Sequence, residues 1–443
     1  MTTIRNIALA ILCTFALLPK LTAQQPMYDA PYAPYAPYAP YAAYPPPSPL
    51  TPANWSPSAP FAPPSGPPVA SGPVVPEMNS GLGYGIKPLP HIRFGIDYVF
   101  LWHQRMTLPF PTLTSGFTAD AIPGALGQPG TQPVFQVHES DPRLSAGRAR
   151  LTFWMPHVES ISLDMNAFQS AQGAQQSTVS TASNPTLAIS RPIFNPGSNT
   201  MEALPISAPG LLNGTAIDVT RTQIYGAEIN LRNTVSFRPT SEPGFSCTPL
   251  VGVRWLKVDE RYSNNDQVVN LADNSSSYFQ DRFSTSNTFF GGQVGLGVGL
   301  HTDLLEFDFV TKLAMGMTQQ SLDITGASTI VDPLTGLPLT DLTRGTYAQP
   351  TNVGHYTRSA FTLLPEVGVN ARYALTDHFR FSIGYTAFLI GNVIRPSGAL
   401  DLTVNPQAIQ GGAGTGPNFP RPPSLEHQTM WIQMVQVGLE CVY

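Results

Sequence analysis

Towards the carboxyl end of the chain, apolar residues recur at every second position over three segments. Phe361, Leu363, Val367, Val369 and Tyr373 share one face. After the tight turn Leu375-Thr376-Asp377-His378, the residues Phe379, Phe381, Ile383, Tyr385 and Leu389 share another, opposite Arg380, Ser382 and Thr386. The terminal segment keeps the same phase through Trp431, Val435, Val437, Leu439 and Tyr443. Side chains alternate across a β-strand, so each segment reads as a strand with one face in an apolar medium and one in a polar medium.

Seven segments upstream repeat the pattern. Ile92 to Trp102 sets its apolar residues opposite Arg93 and Asp97, and residues 145–155 set Leu151, Phe153 and Met155 opposite Arg148 and Arg150. In residues 159–168 Asp164 lies on the polar side, in 223–234 Glu228 and Arg232 do, and in 247–258 Arg254 does. Residues 288–300 oppose their apolar face with Gln293 and glycines, and residues 304–317 with Glu306, Asp308 and Lys312. The pattern thus predicts about ten strands of about ten residues, the length a tilted strand needs to cross a bilayer. Eight and twelve bound the count, because residues 192–220 leave room for a further hairpin.

The predicted connections alternate between short turns and five stretches of about twenty to fifty residues rich in Gly, Pro, Ser, Thr and Asn. Barrels of the outer membrane have short turns on the periplasmic side and long loops outside. The reading is therefore all-β: a transmembrane antiparallel up-and-down β-barrel with both termini on the side of the short turns. No stretch is long and apolar enough for a helical span.

Composition sharpens this. Hydrophobic residues make up 42% of the chain and charged residues 12%, whereas about a quarter of a soluble protein is charged. A net charge of −5 with no basic cluster excludes nucleic acid as a partner. Residues 1–23, with Arg5 before the apolar run Ile7 to Leu18, read as a secretory signal peptide cleaved after Ala23. Residues 24–90 read as a proline-rich disordered tether, opening with an Ala-Pro-Tyr repeat, and residues 91–443 as the barrel. Proline at this density favours the extended polyproline helix. The tether is read first as a solvated spacer and second as a grip on periplasmic or cell-wall components through Tyr32, Tyr35, Tyr38 and Tyr41. Beyond the signal only Cys247 and Cys441 remain, too few for a disulfide framework. They are assigned to strand ends, with a bridge between them the lesser reading.

If the apolar faces meet lipid, the lumen holds Arg93, Asp97, Arg148, Arg150, Asp164, Glu228, Arg232, Arg254, Glu306, Asp308, Lys312, Glu366, Arg372, Arg380 and Glu440. Both signs occur in similar number, and a barrel of this size is narrow. Cross-lumen pairing that fills the interior is the first expectation and a narrow passive pore for ions or small solutes the second.

Other chemistry is set aside. Gly295-Leu296-Gly297-Val298-Gly299 lacks the spacing of a nucleotide loop, and its glycines read as room for bulky neighbours inside the barrel. The histidines are scattered, with no His-x-x-x-His or Cys-x-x-Cys pair, so no metal site and no cofactor is expected. His157 and Ser160 lie near a turn, but no Gly-x-Ser-x-Gly elbow occurs, so the chain is not expected to be an enzyme.

The segment from Phe361 to Asp401 resembles the signature of the planctomycete outer-membrane β-barrel family of uncharacterised function. Leu364-Pro365-Glu366, Leu375-Thr376-Asp377, Gly384-Tyr385 and Asn392-Val393-Ile394-Arg395-Pro396 carry the likeness, with support from Asp97 to Trp102 and Gly438-Leu439-Glu440. The resemblance covers roughly residues 91–443. It implies an exported outer-membrane barrel and supplies neither catalytic residues nor a ligand. Cys441 stands where an aromatic residue is more typical, within the terminal strand that barrel-assembly machinery would read. The expected partners are the lipid bilayer and that machinery, and the expected role is structural or interactive at the cell envelope.

Overall fold

The computed structural model describes residues 91–443 apart from 136–142, 157, 181–187, 238–243 and 410–418. The signal and tether readings lie outside the described residues. In chain order the strands are β1 (Ile92–His103), β2 (Leu113–Gly116), β3 (Gln132–Phe135), β4 (Arg143–Met155), β5 (Val158–Ser170), β6 (Gly173–Ser180), β7 (Ala188–Asn195), β8 (Thr200–Ser207) and β9 (Leu212–Asn233). There follow β10 (Val235–Phe237), β11 (Gly244–Asn270), β12 (Ser276–His301), β13 (Leu305–Val331), β14 (Pro338–Leu342), β15 (Gly354–Ala374), β16 (Phe379–Val393) and β17 (Gln428–Val442). A short helix, α1 (Pro406–Ile409), precedes the last strand.

Ten of these strands close a ring, β1-β4-β5-β9-β11-β12-β13-β15-β16-β17, every neighbour antiparallel. The seam joins the two ends of the chain, from Arg93 opposite Val442 to His103 opposite Ile432. Closure leaves no open edge along the wall, as a strand structure in lipid requires. The ten strands are those that the alternation predicts. Cys247 and Cys441 are both free.

Outward-facing Ile96, Tyr98, Phe100, Val251, Val253, Phe307, Phe309, Val367, Val369, Ile383 and Leu439 are exposed, forming an apolar belt around the wall. Its upper edge follows the strand register. Register places Trp255, Phe290, Met317 and Phe361 side by side. Two residues further along, the same strands carry Lys257, Thr288, Gln319 and Ser359. On the opposite margin lie the short turns and both described chain ends.

The five long connections are where expectation and structure part. They read as loops, yet β9, β11, β12, β13 and β15 continue past the belt as paired strands. The β11–β12 ladder runs unbroken from Gly244 opposite His301 to Val269 opposite Ser276. At about 3.3 Å per residue, residues 257–270 add roughly 40 Å of strand. The extended wall is flanked by β6 along β9 and by β14 along β13. Inside it sits a second sheet, β3-β2-β7-β8, including the hairpin left open between residues 192 and 220. Residues 402–404 lie alongside Phe194 of β7. Together these parts form a folded cap with its own core, which includes Leu113, Ile189, Ile193, Ile206, Tyr262, Phe283, Leu322, Tyr347 and Val404.

Candidate functional site: the barrel interior

The interior has three layers. The lowest is charged and draws on residues that alternation turns inward. Asp97 of β1 accepts from Arg148 Nε at 2.8 Å and from Arg150 Nη2 at 2.6 Å, both on β4. Arg150 also reaches over Gly95 of β1 to Glu440 of β17 at 2.5 Å and donates to Ser382 of β16 at 2.9 Å. Glu440 accepts from Arg372 Nε at 3.0 Å. Arg372 in turn pairs with Asp308, and Arg380 with Glu306. Arg93 lies 3.6 Å from Glu306 and 3.7 Å from Glu440. The chain of contacts thus stitches β13, β15, β16, β17, β1 and β4 together across the interior.

A second island joins the other side. Lys312 Nζ sits 2.6 Å from Glu228 and 2.9 Å from Glu366, and Arg254 pairs with Glu366. Gln293 donates to Glu228 at 3.0 Å and to Asn230 at 2.5 Å. Arg232 and Asp164 form a separate pair at 2.8 Å. Every residue expected in the lumen therefore lies on the inner face in an ion pair. Glycines make the space: a Cβ on Gly295 would lie 3.0 Å from Lys312 Cγ, and one on Gly438 only 2.2 Å from Asp97 Oδ1.

Above the charges lies an apolar waist that the charge-centred reading does not contain. Val99, Leu101, Leu256, Val258, Phe289, Ala314, Leu364, Ile390, Met430 and Ile432 all face inward with no exposed surface. The guanidinium of Arg254 stands over the Phe388 ring at 4.9 Å, which joins the waist to the charged island below it.

The third layer fastens the cap to the wall. Arg191 of β7, wholly buried, forks onto Asp266 of β11 at 2.9 and 2.6 Å. Its remaining nitrogen meets Asp218 of β9 at 2.9 Å and the Thr112 carbonyl at 2.9 Å. Asp218 also accepts from Tyr262 Oη at 2.6 Å. The two carboxylates hold the Arg191 guanidinium well above its usual range against the opposing effect of burial. Burial pushes the Asp266 carboxyl up to about 6, although Arg191 pulls the other way. Asp281 of β12 accepts the backbone amides of Ala348 at 2.9 Å and Tyr347 at 3.1 Å, and the Asn264 amide at 2.9 Å.

The Asn392-Val393-Ile394-Arg395-Pro396 motif, noted above without a role, serves as a latch. Asn392 has a φ of 52°, a left-handed conformation that asparagine tolerates, and turns the chain off β16 into the barrel mouth. Asn287 exchanges two hydrogen bonds with Ile394, at 2.8 and 2.9 Å. Arg395 then forks onto Glu260 of β11 at 2.9 and 2.5 Å and donates to the carbonyls of Arg105 and Gln104 at 2.7 and 3.1 Å.

Arg191, Asp218, Glu260, Asp266 and Asp281 are absent from the sequence-based expectations. Along β11 beyond the belt neither face is consistently apolar: Glu260, Tyr262, Asn264 and Asp266 alternate with Asp259, Arg261, Ser263 and Asn265. The period-two signal has nothing to stand on there. Among the described residues no group of His, Cys, Asp and Glu is arranged to hold a metal ion.

Comparison with known proteins gives a family and a set of barrels. The model of the family described as "Putative beta barrel porin-7" matches residues 93–443. No curated protein sequence matches. Among solved structures, the outer-membrane protease OmpT from Escherichia coli aligns at 10% identity and a TM-score of 0.36, covering 80% of this chain and 96% of that one. A FadL homologue from Pseudomonas aeruginosa aligns at 6% identity and a TM-score of 0.20, covering 79% and 89%. The toluene transporter TodX from P. putida aligns at 7% identity and a TM-score of 0.17, covering 80% and 89%.

Proposed function

The chain belongs to the beta barrel porin-7 family of outer-membrane barrels, and from that premise we propose that it is a closed barrel with a structural or interaction role at the cell envelope and no catalysis. The observation that carries this is the waist: residues such as Leu101, Leu256, Phe289, Leu364 and Ile432 have no exposed surface although they point into the barrel. An interior packed to this degree offers no continuous water path. The charged layer beneath it is self-paired, eight basic side chains against seven carboxylates, and so leaves a surplus of only one positive charge to draw ions through. What the chain offers the outside is the folded cap.

In this reading residues 1–23 are a secretory signal, residues 24–90 a periplasmic tether, and residues 91–443 the membrane barrel of a planctomycete outer membrane. Its partners are the bilayer, the assembly machinery that reads the β17 strand, and cell-wall or periplasmic components met by the tether. The second reading, a narrow pore for ions or small solutes, is favoured by the family's description as a porin and requires the waist to open. Conductance of the purified chain in planar bilayers separates the two. Silence at moderate voltage is expected, and large steady channels would refute the closed barrel.

A further inference from the structure

Above the belt, on the outer face of β9, β11 and β12, arginines converge. Arg261 lies directly opposite Arg221 across the β9–β11 ladder. On its other side Arg261 faces Ser284, with Arg282 two residues further along β12 and opposite Ser263. Like charges placed directly opposite on a sheet repel. The nearby carboxylates are already engaged. Asp259 is held by Lys257 at 2.8 Å and Ser286 at 2.6 Å, and Asp323 by His355 at 2.6 Å. Arg261 donates only to Ser284, at 3.1 Å. Among the described residues no carboxylate lies within ion-pair distance of Arg221, Arg261 or Arg282. Burial, and then Arg282 and Arg221, push the Arg261 guanidinium below its usual range, against a weaker opposing pull from Asp259. An arrangement that repels itself on a bare wall is stabilised by an anion shared among the three side chains.

Height selects the anion. Tyr225 and Trp255 mark the edge of the belt directly below, with Lys257 Nζ over the Tyr225 ring at 5.9 Å, an amphipathic ring at the level that such side chains occupy in membranes. From Trp255 to Arg261 the strand rises roughly 15 Å along the barrel axis, given about 3.3 Å per residue and a tilt near 40°. The headgroup layer of a phospholipid extends only about 5–8 Å beyond the hydrocarbon. The arginines therefore stand above phospholipid phosphates and level with a phosphorylated sugar headgroup. We propose that Arg221, Arg261 and Arg282 form a binding site for the phosphate groups of an anionic glycolipid in the leaflet on the cap side. The site rests on the reading that the belt lies in lipid, and goes beyond it by naming a lipid.

The test uses the full chain folded in neutral detergent and the triple variant Arg221→Gln/Arg261→Gln/Arg282→Gln. Native mass spectrometry follows the binding of a rough-type lipopolysaccharide bearing core phosphates, with phosphatidylglycerol and inorganic phosphate as the other arms. Heat-modifiable migration of the variant establishes that it is folded, and Thr288→Gln on the same wall serves as a neutral control. The wild-type chain should hold the lipopolysaccharide roughly tenfold or more tightly than the variant, with phosphatidylglycerol bound alike by both and millimolar inorganic phosphate unable to displace the glycolipid. Equal retention by a folded variant, or full displacement by inorganic phosphate, would overturn the site. A chain that stays soluble and monomeric without detergent would instead overturn the membrane reading beneath it.

Discussion

At the scale of single residues, the barrel depends on charges that only their neighbours make tolerable. Glu366 is buried between Arg254 and Lys312, and removing one partner of a buried pair leaves an uncompensated charge at a cost of about 3–5 kcal/mol. Glu366→Ala should therefore lower the midpoint of guanidinium unfolding in lipid vesicles substantially, while Glu366→Gln, which keeps the volume and part of the hydrogen bonding, should lose less. In the cap, the sign with pH is opposite to that of an ordinary salt bridge. The Asp266 carboxyl is raised by burial to about 6, so the folded cap binds a proton more readily than the unfolded chain does. A group shifted upward contributes stability below its unfolded value near 4, and this contribution is lost as pH rises through about 6. Asp281 is shifted in the same direction, again chiefly by burial. Hydrogen exchange across β7 and the outer half of β11 should accordingly be slower at pH 5 than at pH 8, once corrected for intrinsic rates. Faster opening at pH 5 would reverse the assignment.

At the scale of elements, legibility follows the solvent contrast across each strand. Where one face meets lipid and the other the lumen, as in Phe379–Val393, alternation locates the strand and names its inward residues. Where the same strand leaves the membrane, as β11 does after Lys257, both faces carry polar residues and the ladder looks like a loop. The cap is less legible still. All of its strand β7 from Ala188 to Ile193 is buried, so no alternation marks it, and its partner β2 is distant in sequence. The waist was legible in principle: Leu256, Leu364 and Ile432 sit on the inward side of strands whose charges define that side. Reading the polar face by its charges alone passed over them. The Arg395 motif was visible in the sequence, but its partner Glu260 lay in a segment with no recognisable period. Arg395→Ala should release the crossover from the barrel mouth. Limited proteolysis is expected to cut between residues 395 and 427 faster in the variant, while heat-modifiable migration of the barrel stays intact.

At the scale of the whole molecule, the barrel is a cylinder stratified along its axis: an ion-paired charged layer, a dry apolar waist and a docked cap. Each layer is joined to the next, through Arg254 over Phe388 and through Arg395 on Glu260. The central claim is that the lumen is dry while the outer wall is in oil. The most direct test is the reactivity of single cysteines in vesicle-embedded protein, after Cys247 and Cys441 are replaced by serine. Leu256→Cys and Leu364→Cys probe the waist, and Val251→Cys probes the belt. The account predicts that the waist positions resist a membrane-impermeant maleimide, whereas the belt position reacts with a lipid-soluble maleimide only. Rapid labelling of the waist by the impermeant reagent would mean a water-filled lumen and would contradict it.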